Sequence, residues 1–294
     1  MDANKTVSGA FVRQYALNVT ALGNGNVSLV PPGGIYDEGA LVTVVANPDS
    51  GNEFTGFSGD LSGTTNPQTL TMDSDKNVTA SFLQKFALNL TEVGAGTVTL
   101  DPPGGLYDIG TEITITAAPD SGYRFAGFSG DLTGTETPQS ITMDSDKNIT
   151  ATFIRQFTLN LTQSGAGAVT LNPSGGLYDE GTVVTVTAVP DSGNRFSGFS
   201  GDLSGTTTPQ TLTMDGDKDV SAAFIRQYSL TASQVGGGTI ALNPPGGLYD
   251  EGTVVTVSAV PDSGNEFFGF SGDLSGTNTP CLLYTSPSPR DSIA

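Results

Sequence analysis

Apolar and polar residues alternate along Tyr15-Ala-Leu-Asn-Val-Thr-Ala-Leu22, so Tyr15, Leu17 and Val19 share one face, as a half-buried strand requires. After Gly23-Asn-Gly25 the alternation resumes at Val27 and Leu29, which predicts a hairpin. Pro31-Pro-Gly-Gly34 ends that strand, because proline has no amide to give to a ladder. Ile35-Tyr36 and the turn Asp37-Glu-Gly39 follow, and residues 41–46 then send Val42, Val44 and Ala46 inward. Asn47-Pro-Asp-Ser-Gly51 has the residues of a tight turn: proline fixes φ, Asp and Ser bond nearby amides, and Gly takes the left-handed position. Beyond it Phe54 and Phe57 stand three positions apart rather than two, which predicts a bend or bulge near Gly56, ahead of a Gly/Asp/Ser-rich loop at 58–67. Residues 68–72 and 77–82 read as a closing hairpin around Asp73-Ser-Asp-Lys76, with Leu70, Met72, Val78, Ala80 and Phe82 buried. Nothing has the period of a long helix.

This pattern recurs. The stretch 53–63 has close copies at 124–134, 195–205 and 266–276, spaced 71 residues apart without insertion or deletion. A fixed period of that size marks tandem modules. The repeats are 15–85, 86–156, 157–227 and 228–280, the last cut short. Residues 1–14 align without a gap on 72–85 and read as the tail of a preceding repeat, with Met1 an internal methionine of a longer reading frame; a missing secretion signal then says nothing about location. After Thr279-Pro280 the repeat gives way to Cys281-Leu-Leu-Tyr-Thr-Ser-Pro-Ser-Pro-Arg-Asp291. Residues 281–294 read as the translated read-through of a transposase-type sequencing adapter, the alternative being a genuine Pro/Ser-rich tail. The joints Leu83-Gln-Lys85, Ile154-Arg-Gln156 and Ile225-Arg-Gln227 carry neither Gly nor Pro, so the last strand of one module is expected to run nearly continuously into the first of the next. The expected object is an elongated, semi-rigid, all-β array of small β-rich modules.

Composition narrows what such modules can be. Each is near the size at which a core only just outweighs chain entropy. With no His, no Trp and the single Cys281, neither zinc nor disulfides can hold them, so strand pairing and packing must suffice. A formal charge of −19 disfavours nucleic acid and anionic lipid as partners, and no apolar run approaches membrane-spanning length.

Candidate chemistry is sparse. Asp73, Asp75 and Asn77, with Asp144, Asp146, Asn148 and Asp215, Asp217, Asp219, invite a calcium-loop reading. An EF-hand needs Gly at the sixth position and Glu at the twelfth, where the third copy has Val220 and Arg226; a tight turn with Asx capping is the plainer reading. Asp60, Asp131, Asp202 and Asp273 sit beside serines such as Ser58 and Ser62, but no His is present to act as base and the spacing is not that of a nucleophile elbow. Tyr36, Tyr107, Tyr178 and Tyr249 follow a Gly-Gly turn and either stack on a sugar or pack in the core. The Asn-x-Thr triplets at Asn18, Asn77 and Asn89 lie in strand patterns that favour Thr anyway. No catalytic, cofactor-binding or metal-binding residue is assigned, and no enzyme is expected.

Taken together, Tyr15-Ala-Leu-Asn-Val, Pro31-Pro-Gly-Gly-Ile-Tyr-Asp-Glu-Gly39, Pro48-Asp-Ser-Gly-Asn-Glu-Phe54, Phe57-Ser-Gly-Asp60 and Met72-Asp-Ser-Asp-Lys-Asn-Val-Thr-Ala-Ser-Phe82 resemble the divergent InlB B-repeat family, from residue 1 to 280. One departure is that Phe57, Phe128, Phe199 and Phe270 stand where the family commonly has Trp; Phe keeps the packing role but lacks the indole donor. The resemblance implies small modules, β-grasp-like or a small sandwich, in arrays on secreted or surface-attached bacterial proteins. It also implies a spacing or adhesion role rather than catalysis. The expected function is a non-catalytic stalk, monomeric and extracellular, holding another domain away from the envelope. The alternatives are multivalent weak binding of a cell-surface glycan or of a host or partner protein, or accessory modules of a polysaccharide-active enzyme.

Overall fold

In the first repeat the alternation becomes strands β1 (Gln14–Leu22), β2 (Gly25–Val30), β3 (Ile35–Asp37), β4 (Leu41–Pro48), β5 (Asn52–Gly59) and β6 (Gln68–Thr71), then the long β7 (Lys76–Val93). The computed structural model describes residues 5–285, and no helix occurs among them, so the described chain is all-β. Two compact units divide it, Met1–Ile154 and Arg155–Ala294.

Each complete repeat is two sheets face to face. In the first repeat β7 lies between β1, parallel from Leu17↔Lys76 to Leu22↔Ser81, and β5, antiparallel; β3 pairs with the start of β1. The facing sheet is antiparallel, with β4 between β2 and β6. Tyr15, Leu17, Val78, Ala80 and Phe82 from one sheet meet Val42, Val44, Ala46 and Leu70 from the other, and Met72 closes the end. The second and third repeats bury the corresponding sets, around Ile113, Ile115 and Met143, and around Val184, Val186 and Met214. The inward register of β4 is as the alternation predicts, with Val42 and Val44 wholly buried. The predicted bulge is also present: β5 slips register against β7 between Phe54 and Gly56.

Two predicted hairpins are not formed. β1 and β2 lie in different sheets, because the ladder edge of β1 is taken by β7, and Gly23-Asn24 carries the chain across. That crossing passes so close to β7 that a Cβ on Gly23 would lie 2.1 Å from the Phe82 carbonyl oxygen. Likewise β6 pairs with β4 and not with β7, so Asp73-Ser-Asp-Lys76 is a corner between sheets rather than a hairpin turn.

β7 belongs to two repeats. Its first half closes the first repeat; from Leu88 to Val93 it is the opening strand of the second, parallel to Lys147–Thr152. Without Gly or Pro at 83–85, nothing interrupts the ladder at the joint. In the second unit Lys218–Ser229 similarly leaves the third repeat and enters the fourth. There Cys281–Tyr284 pairs with Val254–Pro261, Leu283 opposite Val255 as Leu70 is opposite Val42. Residues 286–294, the rest of the stretch expected to derive from an adapter, lie outside the described residues.

Candidate functional site

The acidic corner and the aspartate of the glycine-rich loop were among the candidates for chemistry, and their carboxylates are engaged by the fold itself. Asp60 Oδ2 accepts the Asn77 amide at 2.7 Å while the Asp60 amide donates to the Asn77 carbonyl at 2.9 Å. This reciprocal pair pins the glycine-rich loop to the start of β7. Asp75 Oδ1 accepts the Ala16 amide at 2.8 Å, extending the β1–β7 ladder by one rung where the backbone leaves it. Asn18 Nδ2 donates to Asn77 Oδ1 at 3.2 Å, and Lys76 Nζ meets Asp73 Oδ1 at 2.6 Å. The same bonds recur in the second repeat through Asp131, Asp146, Asn148, Asn89 and Asp144. They recur again in the third through Asp202, Asp217, Asp219, Asn160 and Asp215.

Hydrogen bonding and charge from Lys76, Lys147 and Lys218 hold the Asp73, Asp144 and Asp215 carboxyls below their ordinary range. Lys76 and Lys218 are raised in turn, chiefly by hydrogen bonds to Asp73 and Asp215. Among the described residues no three His, Cys, Asp or Glu side chains group so as to hold a metal ion. What these carboxylates do with their oxygens is accept backbone amides remote in sequence, that of Ala16 for Asp75 and that of Asn77 for Asp60, where a tight turn with local Asx capping was expected.

The tyrosines are core residues. Tyr36, Tyr107, Tyr178 and Tyr249 are buried, and each hydroxyl donates to the carbonyl of Pro31, Pro102, Pro173 or Pro244 at 2.9–3.0 Å. Burial pushes the hydroxyls of Tyr36, Tyr107 and Tyr178 up, because a phenolate there would lose its hydration. Phe57, Phe128 and Phe199 are equally buried, Phe57 at 4.6 Å between ring centroids from Phe54. None of these rings offers a sugar an open face.

Alternation did not reveal the joints, where charged side chains from consecutive repeats converge. Within the first unit Lys85 Nζ reaches Glu53 of the first repeat at 2.7 Å and Asp108 of the second at 2.9 Å, and both bonds raise the Lys85 pKa, that to Glu53 more. The Lys85 amide also donates to Gly51, and the Ile109 amide to Gln84. In the second unit Arg195 of the third repeat grips Asp250 of the fourth through Nε and Nη2, and Gln227 Nε2 donates to the same carboxylate at 3.0 Å. The Arg195 hydrogen bonds hold Asp250 below its ordinary range. The signal was available in the copies: where 53 is Glu, 85 is Lys; where 195 is Arg, 227 is Gln.

The family model of the divergent InlB B-repeat domain matches residues 15–85, 86–156, 157–227 and 228–287. Among curated proteins none matches the chain. Strand content, period and these four matches agree, and the chain belongs to the divergent InlB B-repeat family, whose tandem arrays are typical of bacterial surface proteins.

Proposed function

We propose that the chain is a non-catalytic spacer, an extracellular array that holds another part of a longer protein away from the cell envelope. The observation that carries this reading is the shared strand. Because β7 serves two repeats and Lys85 ties Glu53 to Asp108 across their joint, bending between those repeats breaks ladder bonds and an ion pair together. A flexible linker resists nothing of the kind. The carboxylates that could have served hydrolysis accept backbone amides instead, which favours a structural role for the glycine-rich loop. The test is small-angle scattering on polypeptides of one, two and three repeats. A maximum dimension growing by a constant increment per repeat supports the spacer, and a globular or freely jointed profile overturns it.

An adhesive array is favoured by a different feature. Ile35, Leu106, Leu177 and Leu248 occupy equivalent positions and are 57–65 % exposed. One apolar contact per repeat suits weak, multivalent recognition of a protein surface. Retention on an immobilised host or partner surface that rises steeply with repeat number supports adhesion, and retention independent of repeat number excludes it.

A further inference from the structure

Gly23-Asn24-Gly25, where the chain crosses from β1 to β2, holds the single Asn-Gly pair of the sequence. Its counterparts are Gly94-Ala95-Gly96, Gly165-Ala166-Gly167 and Gly236-Gly237-Gly238. The backbone makes the same bond at each crossing: the Asp49 amide donates to the Asn24 carbonyl at 3.2 Å, as that of Asp120 does to Ala95 and that of Asp191 to Ala166. Since Ala serves equally well, the Asn24 carboxamide is not what holds the crossing, and Asn24 is exposed.

That carboxamide lies beside a main-chain amide the ladder does not use. Asn24 and Asp49 are a hydrogen-bonded pair, so the next pair, Gly25 and Pro48, is not bonded across the ladder and the Gly25 N–H points away from β4. On that outer edge the second and third repeats place a polar side chain, Glu92 Oε1 accepting the Val98 amide at 2.7 Å and Gln163 Nε2 donating to the Gly167 carbonyl at 2.9 Å. The equivalent residue of the first repeat is Ala21, which has no polar group to offer. Gly25 also lacks a side chain that would crowd an approach.

We propose that Asn24 is a site of spontaneous covalent modification, a deamidation to aspartate and isoaspartate that the other three repeats cannot undergo at this crossing. The Gly25 nitrogen bonds to Asn24 Cγ and gives up its proton, and Nδ2 leaves with that proton as ammonia, closing a cyclic imide. Water then opens the imide at either carbonyl: at Cγ the product is aspartate, and at the main-chain carbonyl it is isoaspartate, in which the chain continues through Cβ and Cγ. One water is taken up and one ammonia released, with no other reactant. Isoaspartate lengthens the main chain where there is no slack, since a Cβ on Gly23 would lie 2.1 Å from the Phe82 carbonyl oxygen and one on Gly25 2.7 Å from the Phe82 ring. The isoaspartyl product is therefore weakened in the first repeat.

Other positions are protected. Asp215-Gly216 could close the same imide, but Lys218 Nζ meets the Asp215 carboxylate at 2.7 Å, and a paired, ionised carboxylate must first be protonated before water can leave it. Asn18, Asn77 and Asn89 precede the branched residues Val19, Val78 and Leu90, and all three lie in parallel ladders.

Timed incubation of the full chain in mildly alkaline buffer tests this, read by peptide mass spectrometry, ammonia release and enzymatic methylation of isoaspartyl carboxyls. Asn24 is expected to convert at least about tenfold faster than Asn18, Asn77 or Asn89, with ammonia released in step and Asp215 unchanged. Asn24→Ala, which installs the residue of the second and third repeats, should fold as the wild type does and abolish both the early ammonia and the methyl acceptor. The purified isoaspartyl product should unfold at a lower temperature than the chain carrying Asn24→Asp, which has the same charge on an ordinary backbone. Early ammonia that persists in Asn24→Ala, conversion of Asn24 no faster than that of Asn18, or isomerisation of Asp215 at the same rate overturns the site. Equal unfolding temperatures for the isoaspartyl and Asn24→Asp chains overturn its effect on the crossing.

Discussion

Tyr107 and Tyr228 show how little separates a useful buried hydroxyl from a costly one. The Tyr107 hydroxyl donates to the Pro102 carbonyl at 3.0 Å, while that of Tyr228 is buried with no hydrogen-bond partner among the described residues. Tyr107→Phe keeps the ring and leaves that carbonyl without its donor, so denaturant unfolding should show a loss of about 1 kcal/mol. The raised Tyr107 pKa sets a pH dependence as well. Protonation is favoured in the folded state, so its contribution is fully present below the unfolded value near 10 and is lost as pH rises through the higher folded one. Stability of Tyr107→Phe should accordingly fall less steeply than wild type above about pH 10. Tyr228→Phe removes a hydroxyl that forfeits hydration for nothing, and the corresponding residues of the second and third repeats are already Phe86 and Phe157. It should leave stability unchanged or raise it by up to about 1 kcal/mol, and a clear loss in calorimetry would contradict the assignment.

At the scale of the element, the corner aspartates and the crossing glycines decide which sheet a strand joins. Asp146 Oδ1 takes the Ala87 amide at 2.8 Å where the parallel ladder begins, so Asp146→Ala strands a donor and should cost about 1–2 kcal/mol. Asp146→Asn retains the acceptor oxygen and should recover most of it. Gly96 lies against the ring of buried Phe153, 2.6 Å from where a Cβ would be, so Gly96→Ala forces the ring aside at a cost of about 1–3 kcal/mol. Thermal unfolding of the four-repeat chain measures all three. The same residues explain what the sequence could and could not disclose. Alternation located the strands and their inward faces, because a period of two is imposed by the pleat whatever the neighbour. It is silent on which strand that neighbour is, so β1 and β2, adjacent in sequence, were read as a hairpin although β1 pairs with a strand 59 residues later. The acidic corner was misleading for the same reason. Asp75 and Ala16 are likewise 59 residues apart, and a carboxylate whose amide partner is that remote resembles a free ligand until the fold is known. Tyr36 and its copies, by contrast, were open to a core reading from the outset, since aromatics dominate small cores.

Within each unit, consecutive repeats are coupled by whatever their joint supplies, and an array of this type has a stability that is a sum of repeat and neighbour terms. The joint inside the first unit and the joint inside the second solve one electrostatic problem in two ways. In the first unit Glu53 and Asp108 face each other and Lys85 lies between them; in the second unit the cation is moved to position 195, contacts Asp250 directly, and position 227 is a neutral Gln. Either arrangement leaves no carboxylate at the joint without a cation. Mixing them upsets that match. Lys85→Gln alone leaves Glu53 and Asp108 opposed without their cation, and Glu53→Arg alone puts two cations against one carboxylate, so each should destabilise the first unit. Glu53→Arg combined with Lys85→Gln recreates the arrangement of Arg195, Gln227 and Asp250 and should return most of the loss. The double-mutant cycle should therefore report a favourable coupling of about 1 kcal/mol, modest because these side chains remain partly in solvent, and smaller at high salt. Read by denaturant unfolding of residues 15–156, additive single effects would mean that the joint charges do not act together. The double variant matching wild type would show that the identity of the cation's position is free, provided one cation serves each joint.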